Sequence, residues 1–277
     1  MGKGWVLLVE ALTEVWQGRW AALRIAALPT LVIGVLDLII QYDYWHGDPE
    51  SLGILWATAA MFFVIPVIAI GWHRYVLLNE VPHAFAPQLK VGRTLLYGAN
   101  YLMIALLLTL IAILVFFVVY GLTISISGPD YPGFSEVFER DRYPVGYFVA
   151  LFCATVVFLN SYFRYGATLL PSIAVDDRGQ IRRRSWRETR ALSGTVFWLA
   201  LWAAVLQFPL VAGEDALRSL GILGDPSNLS DMVGVPIYAV LYGAVAICGA
   251  AVLNRLYRAV QASERRPDSQ HTHHDQA

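Results

Sequence analysis

Four ionisable residues lie in or beside otherwise apolar stretches of the sequence, where they could do chemistry. Asp37 lies in GVLDLIIQY, and Glu214, Asp215 and Arg218 lie near the end of a later apolar run. Ionisable side chains within membrane spans are rare and often mark substrate or ion sites. Two interpretations stay open: a substrate or ion site with Arg218 as counter-ion, or a local salt bridge in a water-accessible interface region.

Motifs for catalysis or metal binding are absent from the sequence. It contains no P-loop glycine pattern, no HExxH and no Gly-x-Ser-x-Gly. Cys153 and Cys248 stand alone in apolar runs, and the histidines at 271, 273 and 274 belong to a polar terminal segment. We therefore predict a protein that is not an enzyme, has no catalytic residues, and uses no metal and no cofactor.

The composition predicts a membrane protein. Hydrophobic residues make up 57% of the chain and charged residues 15%, against about 25% charged in soluble domains. A spanning helix needs about 20 mostly apolar residues, and strand-like alternation is absent. We predict an all-α fold, a polytopic bundle of six transmembrane helices in one domain (1–262), followed by a polar, flexible C-terminal tail (263–277). The predicted spans cover residues 20–42, 54–78, 95–126, 145–175, 196–220 and 233–260.

The distribution of basic residues predicts the orientation. All lysines and arginines except Arg140, Arg142 and Arg218 fall in the N-terminal segment, the 79–94 and 176–195 connections, the C-terminal tail or the adjoining helix ends. Basic residues collect on the cytoplasmic side of a membrane. We therefore expect a multi-pass protein of the bacterial inner (cytoplasmic) membrane, with both termini in the cytoplasm.

A repeated pattern suggests three copies of one helical hairpin. Each odd-numbered span follows an amphipathic stretch, at 10–20, 91–101 and 185–198, predicted to lie on the cytoplasmic surface. Each even-numbered span carries an arginine and a tyrosine near its end, which predicts contact with lipid headgroups because arginine can reach phosphates and tyrosine favours the interface. These residues are Arg74, Tyr75, Arg164, Tyr165, Arg255 and Tyr257.

The connection RRRSWRETRALSG at 182–194 predicts a further lipid-binding segment. On a helix, Trp186 would face the membrane while the arginines spread around the polar faces. Each basic residue contributes about 1 kcal/mol on an anionic leaflet. We expect contact with anionic lipids of the cytoplasmic side and not with nucleic acid. The residues assigned to this contact are Arg182, Arg183, Arg184, Trp186 and Arg187.

Small residues form a stripe on the sixth predicted span. Ala239, Gly243, Ala246 and Ala250 are separated by four, three and four positions, which places them on one helix face. Small residues allow close packing of membrane helices. The pattern predicts a helix-packing face, and the sequence leaves open whether the partner is internal or another membrane protein subunit.

Three segments carry a resemblance to a known family. They are EALTEVWQGRW, WHRYVLLNE and RYGATLLPSIAVDDRGQIRRRSWRETRALSG. With them, the chain resembles bacterial inner-membrane proteins related to the membrane domain of glycerophosphoryl diester phosphodiesterases. The resemblance implies the membrane architecture. It does not imply the phosphodiesterase chemistry, which that family carries in a separate soluble domain.

Two functions are compatible with these patterns. The first is a non-enzymatic accessory, assembly or scaffold subunit that acts through protein and lipid contacts. The second is a transporter or lipid-handling protein with a polar site near Asp37. A water-filled cavity that reaches the middle of the membrane and touches Asp37 or Asn160 would favour the second.

Overall fold

The computed structural model describes residues 2–45, 52–81, 91–127, 144–176, 185–219 and 234–264. Within these ranges the chain is helical apart from short turns and helix ends, and it contains no strand. The helices are α1 (Gly2–Gln17), α2 (Arg19–Trp45), α3 (Leu52–Leu78), α4 (Val91–Ser127), α5 (Pro144–Val175), α6 (Ser185–Glu188), α7 (Ser193–Ser219) and α8 (Gly234–Glu264), with a 3-10 turn (Thr189–Leu192) before α7.

The all-α fold is confirmed, and the long apolar runs form its main helices. In the described part of the chain, five helical segments are long and apolar enough to cross a membrane. A further apolar segment, Phe63–Leu78 in α3, is shorter. The five segments are Arg19–Ile40, Val91–Ile126, Val145–Val175, Thr189–Gln207 and Ala239–Ser263.

The three amphipathic stretches differ from one another in structure. In the first stretch, the helix is interrupted by a turn at Gly18, between α1 and α2. A Cβ on Gly18 would lie 3.0 Å from the Trp72 ring and 3.3 Å from the Tyr75 ring. The absence of a side chain therefore allows α3 to pack closely against the junction of α1 and α2. The second stretch, 91–101, continues without a break into α4, and the third contains α6 and the 3-10 turn.

Helix α8 lies at the centre of the bundle and α4 at its edge. Half of the α8 segment is buried, against 11% of the α4 segment. Helix α8 packs on α1, α2, α3 and α5, whereas α4 packs along α5 and, over a smaller area, on α3. The main core forms between these helices and α7, and its largest fully buried apolar side chains include Trp72, Leu170, Leu199, Leu253 and Leu256.

Two helices end on a residue with left-handed backbone. Asn79 follows α3 with φ of 54°, and Asp176 follows α5 with φ of 64°. Asn and Asp tolerate this conformation better than other residues with a Cβ, and it is a common way to terminate a helix. The end of α5 lies beside the start of α4, where Arg93 forms an ion pair with Asp176.

Candidate functional site

A cavity of about 980 Å³ lies inside the bundle. Its volume is near the upper end of the range of about 300–1,000 Å³ for small-molecule sites. Residues of α1, α3, α4, α5, α7 and α8 line it. The wall includes Leu8, Pro66, Tyr101, Ala105, Thr109, Phe117, Thr155, Phe158, Tyr162, Gln207, Tyr242, Val245 and Gly249.

The cavity is elongated along the helix axes. On α4 it follows one face from Tyr101 to Phe117, a distance of about 24 Å at about 1.5 Å per residue. Near Tyr101 the wall is deep, since Phe163, which follows the neighbouring Tyr162 on α5, is almost fully buried. Farther along, Phe117 is 44% and Tyr242 54% exposed. The cavity therefore opens to the bundle surface between α4 and α8.

The wall is apolar and carries no charged side chain among the described residues that line it. Its polar groups are the hydroxyls of three tyrosines and two threonines and the amide of Gln207. The Thr155 hydroxyl donates to the Leu151 carbonyl at 2.8 Å, within its own helix. A wall of this kind suits an apolar or amphipathic molecule without a formal charge, because an unpaired charge in an apolar site is strongly unfavourable.

Beneath the deep end of the cavity, three buried polar side chains join three helices. The His73 ring on α3 lies with Nδ1 2.6 Å from the Asn254 Oδ1 on α8, and with Nε2 3.1 Å from the Tyr97 hydroxyl on α4. His73, Tyr97 and Asn254 are each fully buried. We call these three residues the buried triad. Since each hydrogen bond joins different helices, the triad fixes α4 relative to α3 and α8.

An ionic layer lies beyond the triad, at the end where α3, α5 and α8 finish. Arg255 on α8 donates to Glu14 on α1 at 2.9 Å, and Arg258 reaches the same carboxylate at 3.3 Å. Arg258 also donates to the Val76 carbonyl near the end of α3 at 2.8 Å. These contacts hold α1 against α8 and α3.

Arg74 makes a second connection in this layer. Its guanidinium pairs with Glu80, which follows α3, and donates to the Ala174 carbonyl at the end of α5 at 3.0 Å. Carbonyls in the last turn of a helix lack an internal partner. Arg74 therefore caps α5 from outside it. We call the end of the bundle defined by Glu14, Arg74, Arg255 and Arg258 the ionic end.

The predicted lipid-contact residues occupy different environments. Arg74 and Arg255 are partly buried in the ion pairs described above, and Tyr257 is buried. Arg164 lies well inside α5, eleven positions before its end, so the three arginine–tyrosine pairs are not equivalent. Tyr75 is half-buried, and Tyr165 and Arg187 are exposed. Arg182, Arg183, Arg184 and the Trp186 side chain lie outside the described residues.

The predicted polar site near Asp37 is only partly covered by the structure. Asp37 is half-buried on α2 and does not belong to the described wall of the cavity, and neither does Asn160. The side chains of Glu214, Asp215 and Arg218 lie outside the described residues, so their pairing with Asp37 stays a prediction.

The small-residue stripe of α8 contacts the chain's own α2. A Cβ on Gly243 would lie 2.6 Å from the Thr30 hydroxyl, and Ala239 lies beside Gly34. Ala246 and Ala250 turn toward the cavity wall. Two members of the stripe thus have an internal partner.

The sequence did not single out the residues of the triad or of the deep cavity wall. His73 lies near the end of one predicted span and Asn254 within another, and the two are 181 positions apart. The one local signal was Tyr97 and Tyr101, which are four positions apart and therefore share a helix face.

No protein-family model matches this chain, and no curated protein and no solved structure matches it significantly. The resemblance to the phosphodiesterase-related membrane family stays a prediction. The feature of the chain that bears most directly on function is the cavity, with the ionic end below it.

Proposed function

We propose that this chain is a non-enzymatic, multi-pass membrane protein that binds a lipid-like molecule inside its helical bundle. The observation that carries the proposal is the elongated apolar cavity of about 980 Å³ that opens between α4 and α8. It belongs to the lipid-handling class. The topology that goes with it has six spans and both termini in the cytoplasm, in a bacterial inner membrane.

The physics of a bilayer limits what could fill such a cavity. A ligand that leaves lipid for an apolar protein wall gains little from the hydrophobic effect, because both environments exclude water. Binding must come from close packing and from a small number of polar contacts. A long, narrow cavity gives many wall contacts to a single extended chain, and the opening between α4 and α8 allows entry from the side.

A second candidate function is an accessory or scaffold subunit. The observation that favours it is the broad apolar face of α4, where Leu106, Leu110 and Leu114 are each more than half exposed. Such a face suits either lipid or a partner helix. The stripe on α8 adds nothing to this candidate because Ala239 and Gly243 already pack on α2.

The test is to purify the chain from its own membrane in polymer discs and to measure bound lipids and proteins by mass spectrometry. Ala105→Phe places a large ring in the cavity, since Ala105 lines it. Ala99→Phe is the matched control, because Ala99 is exposed on the same helix and is not among the residues that line the cavity. We expect one lipid species enriched over the bulk membrane with the wild type and Ala99→Phe, and lost with Ala105→Phe.

Two results would count against lipid binding. Bound lipid that matches the bulk membrane in every variant would show that the cavity selects nothing. A stoichiometric protein partner, retained by Ala105→Phe, would instead favour the accessory-subunit function.

A further inference from the structure

Two tyrosine side chains lie together in the deep part of the cavity. Tyr101 on α4 and Tyr162 on α5 both line it, with ring centroids 6.4 Å apart and ring planes nearly perpendicular. Neither hydroxyl makes a hydrogen bond to the described part of the chain. A hydroxyl in an apolar site without a partner is unfavourable. A bound molecule with an acceptor oxygen would supply the missing partner.

The fold holds this pair in place from below. Tyr97 lies one helical turn before Tyr101, and its hydroxyl is 3.1 Å from the His73 ring. The Tyr162 ring stacks on Phe158 with centroids 6.3 Å apart. The triad therefore fixes the helix that carries Tyr101, while Phe158 orients the Tyr162 ring on α5, which packs along α4. Both rings are thus positioned before a ligand arrives. A positioned pair loses less free energy on binding than a mobile one.

Charge limits the ligand further. The described wall contains no arginine, lysine or histidine that could neutralise an anion, and no carboxylate that could pair with a cation. The charged groups of the ionic end are engaged with one another below the triad. A phosphate or carboxylate head at the level of Tyr101 would be buried without a counter-ion, at a large cost in free energy.

We infer that the ligand is a neutral lipid with one long apolar chain and an uncharged oxygen group, a carbonyl, ester or hydroxyl. That oxygen accepts hydrogen bonds from Tyr101 and Tyr162, while the chain extends along α4 toward Phe117 and the opening beside Tyr242. This inference depends on the proposed function, and it names the ligand class for the same cavity.

The test uses four probes with the same chain length and different heads. Binding of tritiated methyl palmitate to the full chain in mild detergent is measured by scintillation proximity. Hexadecanol, hexadecane and palmitate at neutral pH serve as competitors. We expect methyl palmitate and hexadecanol to bind with similar affinity. Hexadecane should bind about tenfold more weakly, the effect of about one lost hydrogen bond, and palmitate at least tenfold more weakly, because its charge would be buried without a counter-ion.

Variants locate the contact. Tyr101→Phe combined with Tyr162→Phe should raise the Kd for methyl palmitate about tenfold and leave the affinity for hexadecane unchanged. Tyr242→Phe is the control, because Tyr242 lines the same cavity at its outer end. Each single variant should give a smaller increase, and all of them should elute as one monodisperse species.

Each negative result in these binding experiments would overturn a different part of the proposal. Equal competition by hexadecane and hexadecanol would overturn the polar recognition and leave lipid binding intact. A loss of affinity with Tyr242→Phe and not with the double variant would overturn the assignment to the deep end, and preferred binding of palmitate would overturn the neutral head. No binding of any probe, together with no enriched lipid in the native preparation, would overturn both this inference and the proposed function.

Discussion

The ionic end of this bundle and the region around the cavity differ in how they accommodate polar groups. At the ionic end, Glu14 meets Arg255 and Arg258, Arg74 meets Glu80, and the triad joins α3, α4 and α8. In the half of the bundle that contains the cavity (the cavity half), the wall is almost wholly apolar, and its few polar groups are uncharged. Ion pairs and hydrogen bonds join the helices at the ionic end, whereas the helices of the cavity half enclose an unfilled space.

The difference indicates how the molecule can bind an apolar ligand without losing its fold. Hydrogen bonds and ion pairs between helices specify which helices pack and in which register. An apolar wall specifies little, because lipid chains and leucine side chains are alike in polarity. The cross-linked half therefore fixes α4 and α8 at one end, and their separation at the other end leaves room for a ligand.

The largest loss of stability is expected at the triad. His73→Leu leaves the Asn254 oxygen and the Tyr97 hydroxyl buried without their partner, and we expect a loss of about 2–4 kcal/mol in the free energy of unfolding. Thermal unfolding in detergent measures it. Tyr162→Phe, in the cavity half, should stay within about 0.5 kcal/mol of wild type. Equal losses for both variants would remove the distinction between the halves.

The next effect concerns how closely α1 packs on α7. A Cβ at Gly4 would lie 2.7 Å from the Leu199 nitrogen and 2.8 Å from the Thr195 carbonyl oxygen, and these backbone atoms cannot rotate away. We expect Gly4→Ala to cost about 2 kcal/mol and to expose α1 to limited proteolysis. Gly2→Ala is the control on the same helix, since nothing lies within 4 Å of its Cβ. Unchanged proteolysis in Gly4→Ala would mean that α1 is not tightly docked.

The helices and the small residues of α8 were accessible from the sequence, because apolar runs and residue size are local properties. The predicted span at 54–78, for example, corresponds to α3 (Leu52–Leu78). Orientation and the six-span count stay predictions.

The cavity, the buried triad and the ion pairs below it could not be predicted from the sequence in this way. His73 and Asn254 are partners across 181 positions, and nothing local to either residue indicates the other. Arg74 and Arg255 were assigned to lipid phosphates from their position near helix ends, yet each also finds a carboxylate of its own chain. A cavity forms where side chains from several helices do not fill the space between them, so it cannot be predicted from any single segment of the sequence.

A smaller effect is expected from the ion pair that holds α1. The Glu14 side chain is 15% exposed and lies 2.9 Å from Arg255, whereas Glu10 is 47% exposed and 3.5 Å away. Glu14→Gln should cost about 1 kcal/mol and Glu10→Gln about 0.3 kcal/mol or less, because exposed pairs are screened. Hydrogen exchange of α1 provides the readout. The two variants would behave alike if α1 depended on its apolar contacts alone.

The smallest predicted effect is a stabilisation, and it comes from the cavity half. Gly249 lies on α8 in the cavity wall, and a Cβ there meets nothing within 4 Å. Gly249→Ala should raise the free energy of unfolding by about 0.5–1 kcal/mol, since glycine within a helix is less favourable than alanine by about that amount. Gly243→Ala, six positions earlier against the Thr30 hydroxyl, should not stabilise the protein. If Gly249→Ala destabilised the chain in detergent, the wall at this position would already be in contact with another element, and the space that the proposed ligand needs would be smaller than the structure shows.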